Sequence, residues 1–373
     1  MPVTASLSAD RRALRVDWPD GVSGQYAARW LFDHADAARD PASGQRRHGA
    51  LSLAAISQIA AASVEGRNLK VRFSPTAAEV SLDLRRLRAG AALALRASLW
   101  LTPKPIAEAP PILFEAFLHD DGALREALSR VARLGLALLV GAGDRPAAVE
   151  LAVERFGFIR ETNYGRCFDV RIETKPGNLA YTDQALDLHT DNPYRDPVPT
   201  LQLLHAIVND ETGGETLFVD GFAHAERLRA EASDAFVVLA REKVRSSFAE
   251  ATGARWAFAA PVLSIDAGGA LEAVRLNHRS LDLEPGHPAA VDAWYDAYLA
   301  FHARLHAPDA AFVRRLAPGE LVIFDNRRIV HGRRALSRRS ARWLRGCYAD
   351  IDGLRATLAR LERAAVGETV DAL

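Results

Sequence analysis

The run Leu321-Val-Ile-Phe-Asp-Asn-Arg-Arg-Ile-Val-His331-Gly-Arg-Arg334 places a short apolar stretch, strand-like in composition, just before a histidine. Upstream, Leu188-His-Thr-Asp-Asn-Pro-Tyr194 carries His189 and Asp191. Residues i and i+2 of an extended segment point to the same side, so these two can offer ligands to one ion. His331, 140 residues after Asp191, can deliver a third ligand from a strand folded beside them. Taken alone, the pair also reads as a loop hydrogen-bonder and a turn cap before Asn192-Pro193. The strand before His331, and Arg342 eleven residues after it, favour a metal site. Two imidazoles and one carboxylate on one face leave adjacent positions open, the donor set of non-haem Fe(II) oxygenases.

Working outward, the chain divides in two. Residues 1–100 read as a small β-rich domain. Leu14-Arg-Val-Asp-Trp18 alternates before the turn residues Pro19-Asp-Gly21, and Val71-Arg-Phe73 and Val80-Ser-Leu-Asp-Leu84 alternate again. Residues 26–34 read as helical. Residues 102–111 hold four prolines and read as a linker. Beyond it, helices are predicted at 122–133 and 145–156 around a buried strand at 134–140. Short strands follow at 200–208, 215–219, 273–276, 320–324 and 343–349, interrupted by helices at 223–242 and 289–306. Few strand–helix alternations predict a mainly β barrel or jelly roll with flanking helices over residues 112–373.

Composition sets the outer limits. The 373 residues carry 47 basic and 47 acidic side chains, which excludes recruitment to nucleic acid or acidic membranes by bulk charge. Two cysteines, Cys167 and Cys347, are too few for a disulfide framework or a cysteine zinc site. The N-terminus has no signal-peptide core, and the longest apolar stretch, 134–143, is far below the ~20 residues of a membrane span. A soluble cytoplasmic protein is expected.

From 160 to 350 the sequence resembles the Fe(II)/2-oxoglutarate dioxygenases of the γ-butyrobetaine hydroxylase and trimethyllysine hydroxylase family. The matching stretches are Asn163-Tyr-Gly-Arg-Cys-Phe-Asp-Val170, Leu188-His-Thr-Asp-Asn-Pro-Tyr194, Val208-Asn-Asp-Glu-Thr-Gly-Gly-Glu-Thr216, Phe218-Val-Asp-Gly221, Phe324-Asp-Asn-Arg-Arg, His331-Gly-Arg-Arg and Arg342-Trp-Leu-Arg-Gly-Cys-Tyr-Ala-Asp350. The resemblance implies a double-stranded β-helix core, a homodimer, Fe(II) on His189, Asp191 and His331, and 2-oxoglutarate and O2 as cosubstrates, with ascorbate as a stimulant. It implies hydroxylation of a substrate C–H with release of succinate and CO2. Related halogenases lack the carboxylate, so Asp191 favours hydroxylation over halogenation. Arg342 resembles the arginine that takes the far carboxylate of 2-oxoglutarate, which an Arg can bind bidentately. Thr216 resembles its hydroxyl neighbour.

A quaternary ammonium has no N–H to donate, so a protein holds it against aromatic faces. By the resemblance Tyr164, Phe168, Tyr181 and Tyr348 form that cage, with Phe168 in place of the tryptophan usual in carnitine-forming members. Asn178 resembles an asparagine that binds the substrate carboxylate. Asn277-His278-Arg279 stands where those members tend to have Asn-Asn. The added guanidinium could point to solvent or suit a head group with more charge and a third oxygen. The leading substrate is therefore 2-(trimethylammonio)ethylphosphonate, with γ-butyrobetaine, giving L-carnitine, as the alternative. A betaine-binding barrel without catalysis would not need His189, Asp191, His331 and Arg342 together. A sulfonate dioxygenase would leave the aromatics and the N-terminal domain unexplained. Relatives with an N-terminal zinc site carry cysteines where this chain has Ala35, Ala37 and Asp40, so no zinc is expected.

Overall fold

The computed structural model describes residues 2–92, 97–172, 179–209, 213–250, 252–337 and 341–365. The chain forms two compact units, one up to Arg96 and one from Ala97. The first holds two three-stranded antiparallel sheets, Thr4–Leu7, Ala13–Asp17 and Ser23–Ala27, then Ile56–Glu65, Asn68–Pro75 and Glu79–Asp83. Alternation fills its core: Leu14 and Val16 from one sheet and Leu69, Val71 and Phe73 from the other are buried. The helix expected from Tyr26 begins only at Ala28, because Tyr26 pairs with Leu14 across the ladder. Its hydroxyl donates to the Leu87 carbonyl at 2.7 Å. Near the positions where relatives have cysteines, Asp33 accepts two 2.7 Å bonds from Arg46 and lies 3.2 Å from His48.

The second unit is mainly β with flanking helices. Six strands order as Ile112–Leu113, Leu136–Val140, Leu321–Asp325, Leu201–Val208, Trp343–Ala349 and Cys167–Val170. Four more order as Leu186–His189, Ile329–Arg333, Thr216–Asp220 and Phe312–Arg314. Along Leu201–Val208 the side chains alternate. Leu201 and Leu203 lie under the helices Asp121–Leu134, Ala148–Glu154 and Ile351–Ala365, while Leu204 and Ala206 face the four-stranded sheet. There they meet Phe218 and Ile329, and the Phe218 and Phe324 rings cross at 5.5 Å. The outer face of the smaller sheet, Leu188, Val219 and Val330, is covered by Gly221–Glu231, Ser233–Arg241 and Pro288–Leu305.

Two expectations change here. The single helix at 223–242 is two, broken at Ala232, whose φ of −147° and ψ of 68° leave the helical region. The proline-rich stretch at 102–111 belongs to the second unit, anchored by buried Trp100 and Ile106. Trp100 donates its backbone N–H to Asp220, which also forms a 2.7 Å ion pair with Arg328. Both charges are almost fully buried, and Arg328 further donates to the Arg133 and Ser98 carbonyls, so the pair is well satisfied. Among the described residues no helix is long and apolar enough to cross a membrane.

Candidate active site

The strands Leu186–His189 and Ile329–Arg333 are antiparallel, and their register sets His189 opposite His331 with ring centroids 4.3 Å apart. Asp191 follows in the turn, before Asn192 with its left-handed φ of 54°. Its Oδ1 lies 3.3 Å from His189 Nε2 and 4.0 Å from His331 Nε2. His189 Nδ1 is 2.7 Å from the Asp187 carbonyl oxygen. That oxygen can only accept, so Nδ1 carries the proton and the Nε2 lone pair faces the Asp191 side.

The carboxylate is held from two directions. Asn326, fully buried, accepts the Asp191 N–H at 2.7 Å and donates to the Asp191 and Pro199 carbonyls. Tyr348 donates its hydroxyl to Asp191 Oδ2 at 2.8 Å. Burial alone would raise the Asp191 pKa. The neighbouring His189 and His331, with the hydrogen bond from Tyr348, outweigh it and hold the carboxyl below its usual range. Burial, then the neighbouring His189, lowers His331 to about 3, so its imidazole is neutral with a lone pair to offer. One carboxylate oxygen and two imidazole nitrogens lie within 4.8 Å of one another, the one such group among the described residues. A mononuclear divalent metal with O/N ligands, Fe(II) in particular, fits this donor set.

The triad opens into a cavity of about 280 Å³. Tyr164, Phe168, Tyr181, Tyr348, Asn277, Arg279, Thr216 and Arg342 all line it. Asn178 lies outside the described residues. Phe168 sits 5.0 Å from Tyr348 and 6.3 Å from Tyr164, ring centre to ring centre. Its strand partner is Gly346, where a Cβ would come within 2.6 Å of the Phe168 ring, so the glycine makes room for it.

Two aromatics of this wall were not foreseen. Phe248, on the strand Val244–Ala249, lies 6.1 Å from Tyr164 and stacks on Tyr194 at 5.2 Å. The Tyr164 and Tyr194 hydroxyls are 3.1 Å apart, and Tyr194 donates onward to Asn192. Tyr194 was visible inside the quoted histidine motif. Phe248 was not, because Val244-Arg-Ser-Ser-Phe-Ala249 looks too polar for a pocket strand.

The cavity lining is also basic, with Arg279, Arg333 and Arg342. Burial, then the charge of Arg333, lowers Arg342 to about 9, so it stays protonated at neutral pH. Arg333 is lowered to about 10 by burial and then by Arg279. It donates to the Ala180, Thr182 and Gln184 carbonyls and so braces the loop that carries Tyr181. Guanidiniums that destabilise one another in a buried wall favour an anionic ligand.

A β-sandwich with a His/Asp/His donor set at the mouth of an aromatic and cationic cavity defines a non-haem metal centre of the oxygenase type. The chain belongs to the taurine catabolism dioxygenase TauD, TfdA family, whose family model matches residues 101–348. It is 40% identical over 256 residues to the gamma-butyrobetaine dioxygenase of Pseudomonas sp. (strain AK-1), covering 66% of this chain and 65% of that protein. It is 32% identical over 256 residues to the mitochondrial trimethyllysine dioxygenase of Gallus gallus, covering 67% and 61%. The chain therefore spans a little under two thirds of these relatives' length. A solved asparagine oxygenase structure matches with a TM-score of 0.49 and 20% identity, over 64% of this chain and 83% of that one.

Proposed function

We propose that this chain is an Fe(II)- and 2-oxoglutarate-dependent hydroxylase acting on a C–H bond of a small trimethylammonium zwitterion. The observation that carries the reading is the double role of Tyr348. Its ring packs at 5.0 Å on Phe168, and its hydroxyl holds Asp191 at 2.8 Å. A cation seated on that ring would lie beside the metal ligand, with one neighbouring C–H presented to the centre.

In this reading His189, Asp191 and His331 hold the iron, and Arg342 with Thr216 receives the far carboxylate of 2-oxoglutarate. When bound, Fe(II) with 2-oxoglutarate and O2 supplies the oxidising chemistry, with succinate and CO2 as co-products. Tyr164, Phe168, Tyr181 and Tyr348, joined by Tyr194 and Phe248, surround the ammonium and exclude water from it. Each face contributes roughly 0.5–2 kcal/mol. Asn277 and Arg279, with Asn178, take the acidic head.

The leading substrate is 2-(trimethylammonio)ethylphosphonate. Arg279 lines the cavity and its charge reaches both His331 and Arg333, an excess of positive charge that suits a phosphonate. Hydroxylation of γ-butyrobetaine to L-carnitine is the second reading, favoured by the 40% identical relative. We read the two sheets as a double-stranded β-helix over 112–373, with residues 1–100 as a separate β-rich domain without zinc. A cytoplasmic homodimer completes the proposal, resting on the family resemblance and the balanced charge.

The test is succinate release by iron-loaded wild-type and Arg279→Ala proteins on both compounds. A larger loss on the phosphonate supports the head-group assignment, and equal losses on both remove it.

A further inference from the structure

The mechanism leaves both cysteines unused, and the fold brings them together. Cys347 on the strand Trp343–Ala349 is the direct antiparallel partner of Cys167 on the strand Cys167–Val170, the edge strand of the six-stranded sheet. Directly opposed residues of such a ladder have Cα atoms about 4.5–5.5 Å apart. That lies within the ~4.4–6.8 Å span a disulfide requires. Both thiols point away from the cavity, toward Ala148–Glu154, where Cys347 approaches the Val149 carbonyl at 3.9 Å. On the other face of the same strands, one residue along, stand Phe168 and Tyr348 of the aromatic wall.

We propose that Cys167 and Cys347 are an oxidation site, at which a peroxide joins the two strands behind the aromatic wall by a disulfide. Their environments assign different roles. Cys167 is the more accessible sulfur and lies beside Arg345, which pairs with Glu150 and Asp169. Cys347 is fully buried, so peroxide reaches Cys167 first and Cys347 takes the resolving position. The Cys167 thiolate attacks one peroxide oxygen, the O–O bond breaks, and Cys167 becomes a sulfenic acid. The Cys347 sulfur then attacks that sulfur, forming S–S and breaking S–O. The departing hydroxide takes the Cys347 proton as water. Two thiols are oxidised, one hydrogen peroxide is reduced, and two waters leave.

The experiment treats the full-length protein with graded hydrogen peroxide, then counts free thiols and maps peptides without reduction. We expect both thiols to disappear together, with a link between the Cys167 and Cys347 peptides inside one chain, reversible by dithiothreitol. The bond closes a 180-residue loop, so the melting temperature should rise on oxidation. In Cys347→Ala, Cys167 should stop at a sulfenic acid that dimedone traps, with no rise in melting temperature. Independent loss of the thiols, sulfinic acid at Cys167 without a link, or links only between chains would overturn the proposal. The test requires no knowledge of the reaction catalysed, so it stands or falls apart from the substrate assignment.

Discussion

Tyr348 and Asp191 are joined by a 2.8 Å hydrogen bond from the phenol to the carboxylate oxygen Oδ2. Asp191 Oδ1 faces the two imidazoles, so this bond fixes which oxygen is offered to a metal. Removing a partner that orients a metal ligand typically costs 10–100-fold in affinity or activity. Tyr348→Phe keeps the ring and loses the bond. We expect kcat or Fe(II) affinity to fall about 10–100-fold. KM for the ammonium substrate should change little, as steady-state kinetics and metal titration would show.

Phe248 reports on the aromatic wall without touching the triad directly. Phe248→Ala removes one face and its stacking on Tyr194. If a cation binds there, KM for it should rise roughly 2–30-fold, the equivalent of ~0.5–2 kcal/mol. KM for 2-oxoglutarate should stay unchanged in the same assay.

Asn326 acts on the backbone of the ligand turn. Asn326→Ala leaves the Asp191 N–H and the Pro199 carbonyl without their buried partner. Each stranded group costs about 1–3 kcal/mol, so chemical denaturation should show a loss of that order or somewhat more. Metal affinity should fall with it, because Asp191 loses its fixed direction.

His224 gives the unit an acid weakness of its own. It is buried on Gly221–Glu231 with neither ring nitrogen hydrogen-bonded among the described residues, and burial lowers it to about 4. Above pH ~6.5 it is neutral folded or unfolded and contributes no slope. As pH falls toward 4, the unfolded chain takes up the proton first and stability drops by up to about 3 kcal/mol. Unfolding free energies from pH 7 to 4 should therefore fall less steeply in His224→Leu than in wild type.

The grouping of His189, Asp191 and His331 was legible in the sequence because its grammar is local: i and i+2 on one extended segment, then a histidine after an apolar strand. The register that seats His189 opposite His331 is a long-range fact and could not. Asn326 stood within a recognised motif, yet its hold on Asp191 depends on a contact across 135 positions. Phe248 escaped notice because its own strand, Val244-Arg-Ser-Ser-Phe-Ala249, looks polar, and only the folded sheet turns that ring to the cavity. The break at Ala232 carries no Pro or Gly, so no local residue signal marks it.

The proposed function requires a cation held by aromatic faces to be presented to the His/Asp/His centre. Its most direct test is succinate release by iron-loaded protein given 2-oxoglutarate, O2 and a trimethylammonium zwitterion, beside the neutral tert-butyl isostere of the same compound. Strong stimulation, with a hydroxylated product, is expected from γ-butyrobetaine or 2-(trimethylammonio)ethylphosphonate and not from the isostere. Equal stimulation by both, or none by any trimethylammonium compound while iron and 2-oxoglutarate still bind, would contradict it.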